Sequence, residues 1–285
     1  MKLRPNWTKT IRSRMPSLGL VLSLCLLLAS PHLMAAPKSD LWPFWDKSDE
    51  QSQHEIGHER WTSILNSHWS HDEQGNALVD YAALKADDAE RLRAYIDGLT
   101  AIDPRALNRA EQMAYWINLY NALTVQLVID AYPVDSIKKI KGGFFNTGPW
   151  DEKVTTVAGK KLTLNDIEHR ILRPIWQDKR IHYAVNCASI GCPNLAPKAY
   201  SADALEQQLD EAAKTFINQS KGVAVLGEGH FRLSSIYDWY AADFGTEAEL
   251  FQHLQTYHAS QLLAGGNRPE DIDYDYDWRL NDISR

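Results

Sequence analysis

The sequence predicts an α+β fold, and three stretches of the chain indicate it. Residues 111–130 (EQMAYWINLYNALTVQLVID) are apolar nearly all round, as in a helix buried at the centre of a domain. Residues 155–164 (TTVAGKKLTL) have Gly159 at their centre, a pattern typical of a β-hairpin. Residues 272–280 (IDYDYDWRL) alternate between apolar and charged side chains, which is the period of a half-buried strand. A buried helix together with such strands indicates an α+β architecture.

Residues 1–36 are predicted to be a secretory signal peptide. They begin with basic residues and no acid, continue with the apolar run 18–29 (LGLVLSLCLLLA), and end on the small residues Ala35 and Ala36, which offer a cleavage site. The apolar run is too short to cross a bilayer comfortably. We therefore expect a periplasmic or secreted protein that has no transmembrane segment after cleavage.

The remaining chain is predicted to be a polar linker at 37–59 followed by a single domain at 60–285. The whole chain has 30 Lys and Arg against 37 Asp and Glu, a formal charge of −7, and loss of the basic leader makes the charge more negative. This balance argues against nucleic acid as a partner, because a phosphate backbone is held by Lys and Arg.

The first half of the domain is predicted to be helical. The segment 79–84 (VDYAAL) leads into one of these helices, and Pro133 ends the longest of them because proline cannot continue a helix. The predicted helices are residues 61–68, 87–100 and 103 to about 130.

The second half of the domain combines helices with the hairpin and the C-terminal strand. Asn165 is predicted to cap a helix at 166–172, and residues 180–186 are predicted to form an apolar strand that leads to Cys187. Thr246 and Glu249 form a capping box. The further predicted helices are residues 201–218, 235–244 and 246 to about 263.

Residues 54–58 (HEIGH) match the H-E-x-x-H zinc signature, but their context argues against a metalloprotease. They lie too close to the predicted cleavage site to leave room for a preceding sheet. Trp61 and Ile64 stand where the longer metal-binding pattern needs Gly and His. We therefore predict no metal here and interpret the motif as part of an exposed segment ahead of the domain.

Three polar side chains share one face of the apolar helix 111–130. Glu111, Asn118 and Asn121 fall within a narrow arc at 100° per residue. Buried polar groups need partners, or each costs about 1 to 3 kcal/mol. They either bind neighbouring backbone or form the polar wall of an active site, in which Glu111 orients a base and Asn118 donates to an oxyanion.

Three motifs follow one another along the chain: E-x-x-A-Y-W-I-N-x-Y-N-A-L at 111–123, I-E-H at 167–169, and H-Y-A-V-N-C-A-S-x-x-C-P at 182–193. Together they resemble the bacterial members of the domain of unknown function 547 family. The resemblance extends over residues 60–285, and it implies a papain-like or transglutaminase-like fold, permuted or not, with an antiparallel sheet packed on helices. It also implies that Cys187 is the nucleophile and that Glu111 is the helical acid of the site.

A nucleophilic thiol needs a base or a positive charge nearby. His182 is near in sequence, but a strand from 182 to 187 would span about 16 Å and place the two side chains on opposite faces. His169, on the preceding helix, could fold back over the strand end. His230 is a third candidate.

Cys192 leaves the state of Cys187 open. A disulfide between them would make the segment a rigid turn, whereas reduced sulfurs could act as a nucleophile or as a redox pair. A zinc site of one His and two Cys is a fourth reading.

The leading hypothesis is an exported thiol-dependent hydrolase or acyl transferase without a cofactor, which acts on a peptide or another amide-containing envelope substrate. Cys187 would attack the acyl carbon, with His182 or His169 as the base and Glu111 aligning it. Asn118 or a backbone N–H would stabilise the oxyanion. The alternative is a non-catalytic envelope binding module with a Cys187–Cys192 disulfide.

Overall fold

The long apolar stretch forms the central helix of the protein, as predicted. The computed structural model describes residues 36–140, 148–257 and 269–284. The predicted signal peptide and the end of the predicted helix beyond Tyr257 lie outside these residues. Within them, no helix is both long and apolar enough to span a bilayer.

Helices of very different length make up most of the described residues. The central helix α4 is buried along nearly all its length, including at Glu111, Asn118 and Asn121. Single turns of π-helix at Leu84–Asp88 and Glu168–Leu172 interrupt the helical segments. The α-helices are α1 Glu59–His68, α2 Tyr81–Ala83, α3 Ala89–Thr100, α4 Arg109–Ala131, α5 Leu164–Ile167, α6 Arg173–Trp176, α7 Ile181–Ala184, α8 Leu205–Asn218, α9 Ile236–Trp239, α10 Ala241–Phe244 and α11 Glu247–Tyr257.

The strands form small sheets, so the mixed α+β class is confirmed. Two of the sheets are antiparallel hairpins, and one of these is the hairpin predicted around Gly159. The third sheet has the order β5-β6-β7, in which β6 and β7 run parallel, so the sheet is not purely antiparallel as expected. The strands are β1 Trp69–His71, β2 Ala77–Val79, β3 Thr155–Val157, β4 Lys160–Leu162, β5 Val223–Gly227, β6 His230–Ser234 and β7 Asp271–Asp275.

Polar residues at helix starts explain several boundaries. Asn108 caps α4, since its side chain accepts a hydrogen bond from the backbone N–H of Glu111 at 2.9 Å. The predicted capping box of Thr246 and Glu249 is confirmed by reciprocal bonds to the two backbone N–H groups. The predicted cap at Asn165 is wrong, because Thr163, two residues earlier, forms the capping box with Asp166.

The predicted strand at 180–186 is wrong, because Ile181–Ala184 is a turn of helix followed by an extended Val185. A short apolar run has no periodicity that separates a buried strand from a buried helical turn. The correction changes the geometry of the site. Because His182 lies in a helical turn, the alternation of a strand does not place it on the face opposite Cys187.

The predicted C-terminal strand is shorter than the alternation suggested and ends at Asp275. Residues 276–281 instead run alongside the segment that carries the cysteines, where Asp277 O accepts a hydrogen bond from the N–H of Gly191 at 2.8 Å. A Cβ at Gly191 would lie 2.6 Å from the nitrogen of Asp277, so this close approach requires glycine.

Residues 37–59 do not behave as a linker, because much of this segment packs against the domain. Trp45 is 1% exposed and meets Trp116 of α4 edge to face, with ring centroids 5.1 Å apart. The backbone N–H groups of Asp40 and Trp42 donate to carbonyls of the π-helical turn at 168–172. His58 of the HEIGH motif is buried and bonds Tyr95, and α1 begins only at Glu59, so His54 and His58 do not share a helical face.

Replacing Trp45 with Ala should lower the free energy of unfolding by about 3 to 5 kcal/mol, since a large buried ring leaves a cavity. Urea denaturation of the variant measures this loss. Leu41→Ala, at an exposed position of the same segment, is the control and should change stability little. Equal stability of both variants and the parent would show that the segment does not contribute to the fold.

Candidate active site

Cys187, His169 and His182 line one cavity of about 320 Å³, although they lie in separate elements. The cavity is also lined by Glu168 and by aromatic side chains, which are Tyr120, Trp150, Trp239, Tyr240, Tyr276 and Trp278. The structure therefore brings the predicted nucleophile and both predicted bases to one place.

Asparagine side chains hold the turn that carries Cys187. Asn121 of α4 donates to Ala184 O at 2.9 Å and accepts from the N–H of Asn186 at 2.8 Å. The side chain of Asn186 in turn accepts from the N–H of Ala188 at 2.9 Å and donates to Pro193 O at 2.7 Å. Ala188 has φ +57°, a left-handed conformation unusual for a residue with a Cβ, and the turn fixes it. The sulfur of Cys187 is thus held on a rigid support.

Three hydrogen-bonding groups surround the sulfur of Cys187, which is partly exposed. Its Sγ lies 3.0 Å from Cys192 Sγ, 2.9 Å from Tyr276 Oη and 3.3 Å from Ser189 Oγ. The hydrogen bond from Cys192 and those from Ser189 and Tyr276 lower the pKa of Cys187, against burial and the negative charge of Glu168. Burial, and then the neighbouring Cys187, raise the pKa of Cys192 well above its usual value. Cys187 is therefore the thiol of the pair that loses its proton more readily, with Cys192 as its donor.

Replacing Tyr276 with Phe should move the pH dependence of Cys187 alkylation to higher pH, because the thiolate loses one donor. Mass spectrometry of the peptide that carries Cys187, after iodoacetamide treatment across a pH series, measures the midpoint. Tyr274→Phe is the matched control, since Tyr274 is exposed and should leave the midpoint unchanged. An unchanged midpoint in Tyr276→Phe would show that the hydroxyl does not stabilise the thiolate.

Asp243 orients His182. Its Oδ2 lies 2.8 Å from Nε2 of His182, and Arg173 Nε donates to the same oxygen at 2.6 Å. Burial raises the pKa of Asp243, but His182 and Arg173 outweigh it and hold that pKa far below its usual range. With Nε2–H donating to this carboxylate, Nδ1 is the basic nitrogen of neutral His182. Nδ1 is buried and has no hydrogen-bond partner among the described residues.

His169 lies in a different electrostatic environment. Its Nδ1 is 2.9 Å from Arg173 Nη1, and a guanidinium can only donate, so neutral His169 carries its proton on Nε2. Burial lowers the pKa of His169, partly against the charge of Glu168. Glu168 is itself buried and accepts hydrogen bonds from Tyr120 at 3.0 Å and Tyr240 at 2.7 Å. His169 is therefore a neutral hydrogen-bond donor, whereas His182 has the free basic nitrogen.

The structure does not bring Glu111 or Asn118 to this cavity. Glu111 accepts the backbone N–H of Ile56 at 2.7 Å, and Asn118 bonds both the N–H and the carbonyl of Tyr200, at 2.9 Å and 2.7 Å. Their polar atoms are used in joining α4 to neighbouring backbone. This geometry argues against the predicted alignment by Glu111 and the predicted oxyanion contact of Asn118, and it favours the structural interpretation of that polar face.

Further candidates are also placed elsewhere. His230 pairs with Asp273 at 3.0 Å on the exposed sheet and does not line the cavity. Among the described residues, no group of three or more His, Cys, Asp or Glu side chains is arranged to hold a metal ion.

Sequence reasoning missed Asp243, Glu168 and Tyr276 as site residues. Glu168 belongs to the I-E-H motif, so the sequence itself shows that it is adjacent to His169. Asp243 lies in a predicted helix without any pattern that marks it. The alternation of residues 272–280 predicts that Tyr276 and Trp278 point to the same side, and both residues line the cavity.

Comparisons with known proteins support the family and nothing more specific. Residues 104–217 match the family described as "Protein of unknown function, DUF547", a range that includes the central helix and the segment with Cys187 and Cys192. No curated protein and no solved structure matches the chain. The resemblance to the domain of unknown function 547 family is thus confirmed over residues 104–217, the part of the chain that matches this family.

Proposed function

We propose that the protein is a thiol-dependent hydrolase or acyl transferase that acts on an amide or related acyl bond through Cys187. The observation that carries this proposal is the shared cavity of a sulfur with a lowered pKa and an imidazole whose basic nitrogen is free. His182 is the base that the geometry favours, since Asp243 fixes its tautomer and Arg173 occupies Nδ1 of His169.

In the proposed reaction, Nδ1 of His182 takes the proton of the Cys187 thiol, and the resulting thiolate attacks the acyl carbon to form a tetrahedral intermediate. Its collapse breaks the bond to the leaving amine or alkoxide, which takes a proton from protonated His182. The thioester then reacts with water or another acceptor, whose proton goes to Nδ1 of His182. Asp243 stabilises the imidazolium in both steps.

The oxyanion needs a donor that is not engaged elsewhere. The N–H of Cys187 donates to Cys192 Sγ at 2.9 Å, and the N–H of Ala188 donates to the Asn186 side chain. Both nearest backbone donors are therefore in use. The hydroxyl of Tyr276 lies 2.9 Å from the sulfur and 2.9 Å from Ser189 Oγ. Its hydrogen bond to the thiolate ends when the sulfur bonds the acyl carbon, so we assign this hydroxyl the oxyanion contact.

The papain-like or transglutaminase-like relationship and the periplasmic or secreted location belong to this proposal. A cysteine, a histidine and a carboxylate that orients the histidine form the set on which such enzymes depend, and this supports the relationship. The basic start and apolar run of residues 1–36 support export.

Acylation of Cys187 by p-nitrophenyl acetate tests the proposal. We expect release of p-nitrophenolate and an acetyl thioester on Cys187, formed faster than on the synthetic peptide of residues 183–191, which carries the same thiol without the fold. Cys187→Ala should give no adduct on this segment, and His182→Gln should accumulate the thioester because deacylation lacks its base. Acylation no faster than that of the peptide would contradict the proposal.

One observation favours the second candidate, a non-catalytic binding module with a Cys187–Cys192 disulfide. The two sulfurs are free but only 3.0 Å apart, so exchange with an external disulfide could join them after little movement. Blocking thiols at the moment of lysis, followed by intact mass measurement, separates the candidates. A fully bridged population that resists mild reductant supports the binding module, and two blocked thiols support the enzyme.

A further inference from the structure

The cavity that contains Cys187 is lined in part by the chain's own N-terminal residues. Ala36 and Pro37 are among its lining residues. The chain continues from them along the π-helical turn, where Asp40 N–H donates to His169 O and Trp42 N–H donates to Arg170 O, both at 3.0 Å. The two donors are alternate residues of the segment, and the two acceptors are carbonyls of consecutive residues in the π-helical turn. These contacts use the backbone, so they recognise the polypeptide chain itself.

Arg173 provides the strongest of these contacts. Its Nη1 donates to the carbonyl of Pro37 at 2.6 Å, while the same guanidinium bonds Asp243 and His169. The Arg173 side chain is 4% exposed, so its direction is fixed by these partners. A buried cation that is held in place by site residues and bonded to a backbone carbonyl forms a built binding site for a peptide group.

We propose that the cavity binds an extended polypeptide, and that the segment 36–40, whose first residues Ala36 and Pro37 line the cavity, is bound there as an intramolecular ligand. This inference rests on the proposed function, for which it names a peptide as the substrate class. A peptide substrate would displace this segment from the cavity and make the same contacts with Arg173 and the π-helical turn. Leader cleavage after Ala36, as predicted, would leave Pro37 as the new amino terminus at the cavity and residues 37–40 as the ligand segment of the mature chain.

The residues that follow the segment 36–40 are held by their own contacts, so displacement would be confined to that segment. Trp45 is buried in the core, and the Trp42 ring lies beneath the guanidinium of Arg170 at 4.7 Å. Lys38, Ser39 and Asp40 are exposed. Residues 36–40 can therefore leave the cavity while the rest of the segment stays bound.

Proline substitution in the full chain tests the inference, because it removes one backbone donor without shortening the segment. Asp40→Pro deletes the N–H that bonds His169 O. Asp40→Ala keeps this N–H and removes only the carboxylate, and Ser39→Pro places proline at the neighbouring exposed position. The readout is the rate at which a bulky dye-linked maleimide labels Cys187, divided by the rate with iodoacetamide.

We expect Asp40→Pro to raise this ratio about tenfold, which is the change expected when one hydrogen bond that holds the segment is lost. The two control variants should keep the parent ratio. A synthetic peptide of residues 36–42 should bind Asp40→Pro in calorimetry and return the ratio to the parent value, whereas a scrambled peptide should not. If Asp40→Pro does not fold, excision of residues 36–40 replaces it in both measurements.

Equal ratios in all variants, or no binding of the peptide to the opened variant, would overturn the inference. The ratio of the two labelling rates reports how easily a bulky reagent reaches Cys187 at one pH. It therefore does not depend on whether Cys187 catalyses any reaction. Peptide binding without acylation of Cys187 would therefore contradict the proposed function and leave this inference supported.

Discussion

Replacing Asp243 with Asn should reduce turnover of p-nitrophenyl acetate by about 10⁴-fold, the size of effect seen when a triad carboxylate becomes an amide. In the parent, Asp243 Oδ2 accepts from both His182 Nε2 and Arg173 Nε. Arg173 can only donate, so it would bind the amide oxygen of the introduced asparagine and leave the NH₂ group facing His182. The imidazole would then carry its proton on Nδ1, and the basic nitrogen in the cavity would be lost.

The control for this variant is Asp238→Asn, which changes a carboxylate of α9 that lies outside the cavity lining. It should retain parent turnover. Asp243→Asn should still be alkylated at Cys187, because the donors from Cys192, Ser189 and Tyr276 remain. Parent-like turnover in Asp243→Asn would remove His182 and Asp243 from the mechanism.

Replacing Arg173 with Met should lower the free energy of unfolding by about 3 to 5 kcal/mol, because removal of one member of a buried ion pair leaves the other uncompensated. Arg173 bonds Asp243, His169 and Pro37 O, and its guanidinium lies 5.0 Å from the Tyr240 ring centroid. Loss of this side chain therefore removes four contacts together. Urea denaturation measures the change.

Arg170→Met is the matched control. Arg170 lies in the π-helical turn that directly precedes Arg173, but its side chain is 39% exposed and pairs with Asp166 at 3.2 Å. Exposed pairs of this kind contribute about 1 kcal/mol or less. Equal losses in the two variants would show that the buried network has no special role in stability.

The pH dependence of stability should change in the Arg173 variant as well. The folded-state pKa of Asp243 is depressed, so its contribution is present above the unfolded value of about 3.9 and is lost as the pH falls below it. Without Arg173, one of the two partners that lower this pKa is absent. The acid-dependent loss of stability should therefore be smaller in Arg173→Met than in the parent.

The fold was predictable where the pattern was long or the local chemistry was specific. The central helix has many apolar residues in succession, and Thr246 with Glu249 forms a capping box that depends on neighbouring residues alone. Residues 180–186 gave no such signal, because a buried helical turn and a buried strand have the same composition over so few residues. Trp45 ends the apolar run 41–45 (LWPFW), and no local pattern showed that its ring is buried against Trp116.

The site was predictable in its chemistry and less so in its geometry. Cys187, His169 and His182 followed from residue type and from the family motifs, and all three line the cavity. Asp243 contacts His182 and Tyr276 contacts Cys187 across 61 and 89 residues of sequence, separations that no local pattern could reveal. The shared helical face of Asn118 and Asn121 suggested a catalytic role, but both side chains bond neighbouring backbone groups instead.

The pH dependence of Cys187 alkylation in the freshly reduced chain tests the central claim most directly. The claim is that hydrogen bonds from Cys192, Ser189 and Tyr276 hold this sulfur as a thiolate at the cavity wall. The expected result is a labelling midpoint below that of a free cysteine, whose pKa is about 8.5. A midpoint at or above that of a free cysteine would contradict the claim, and with it the proposed nucleophile.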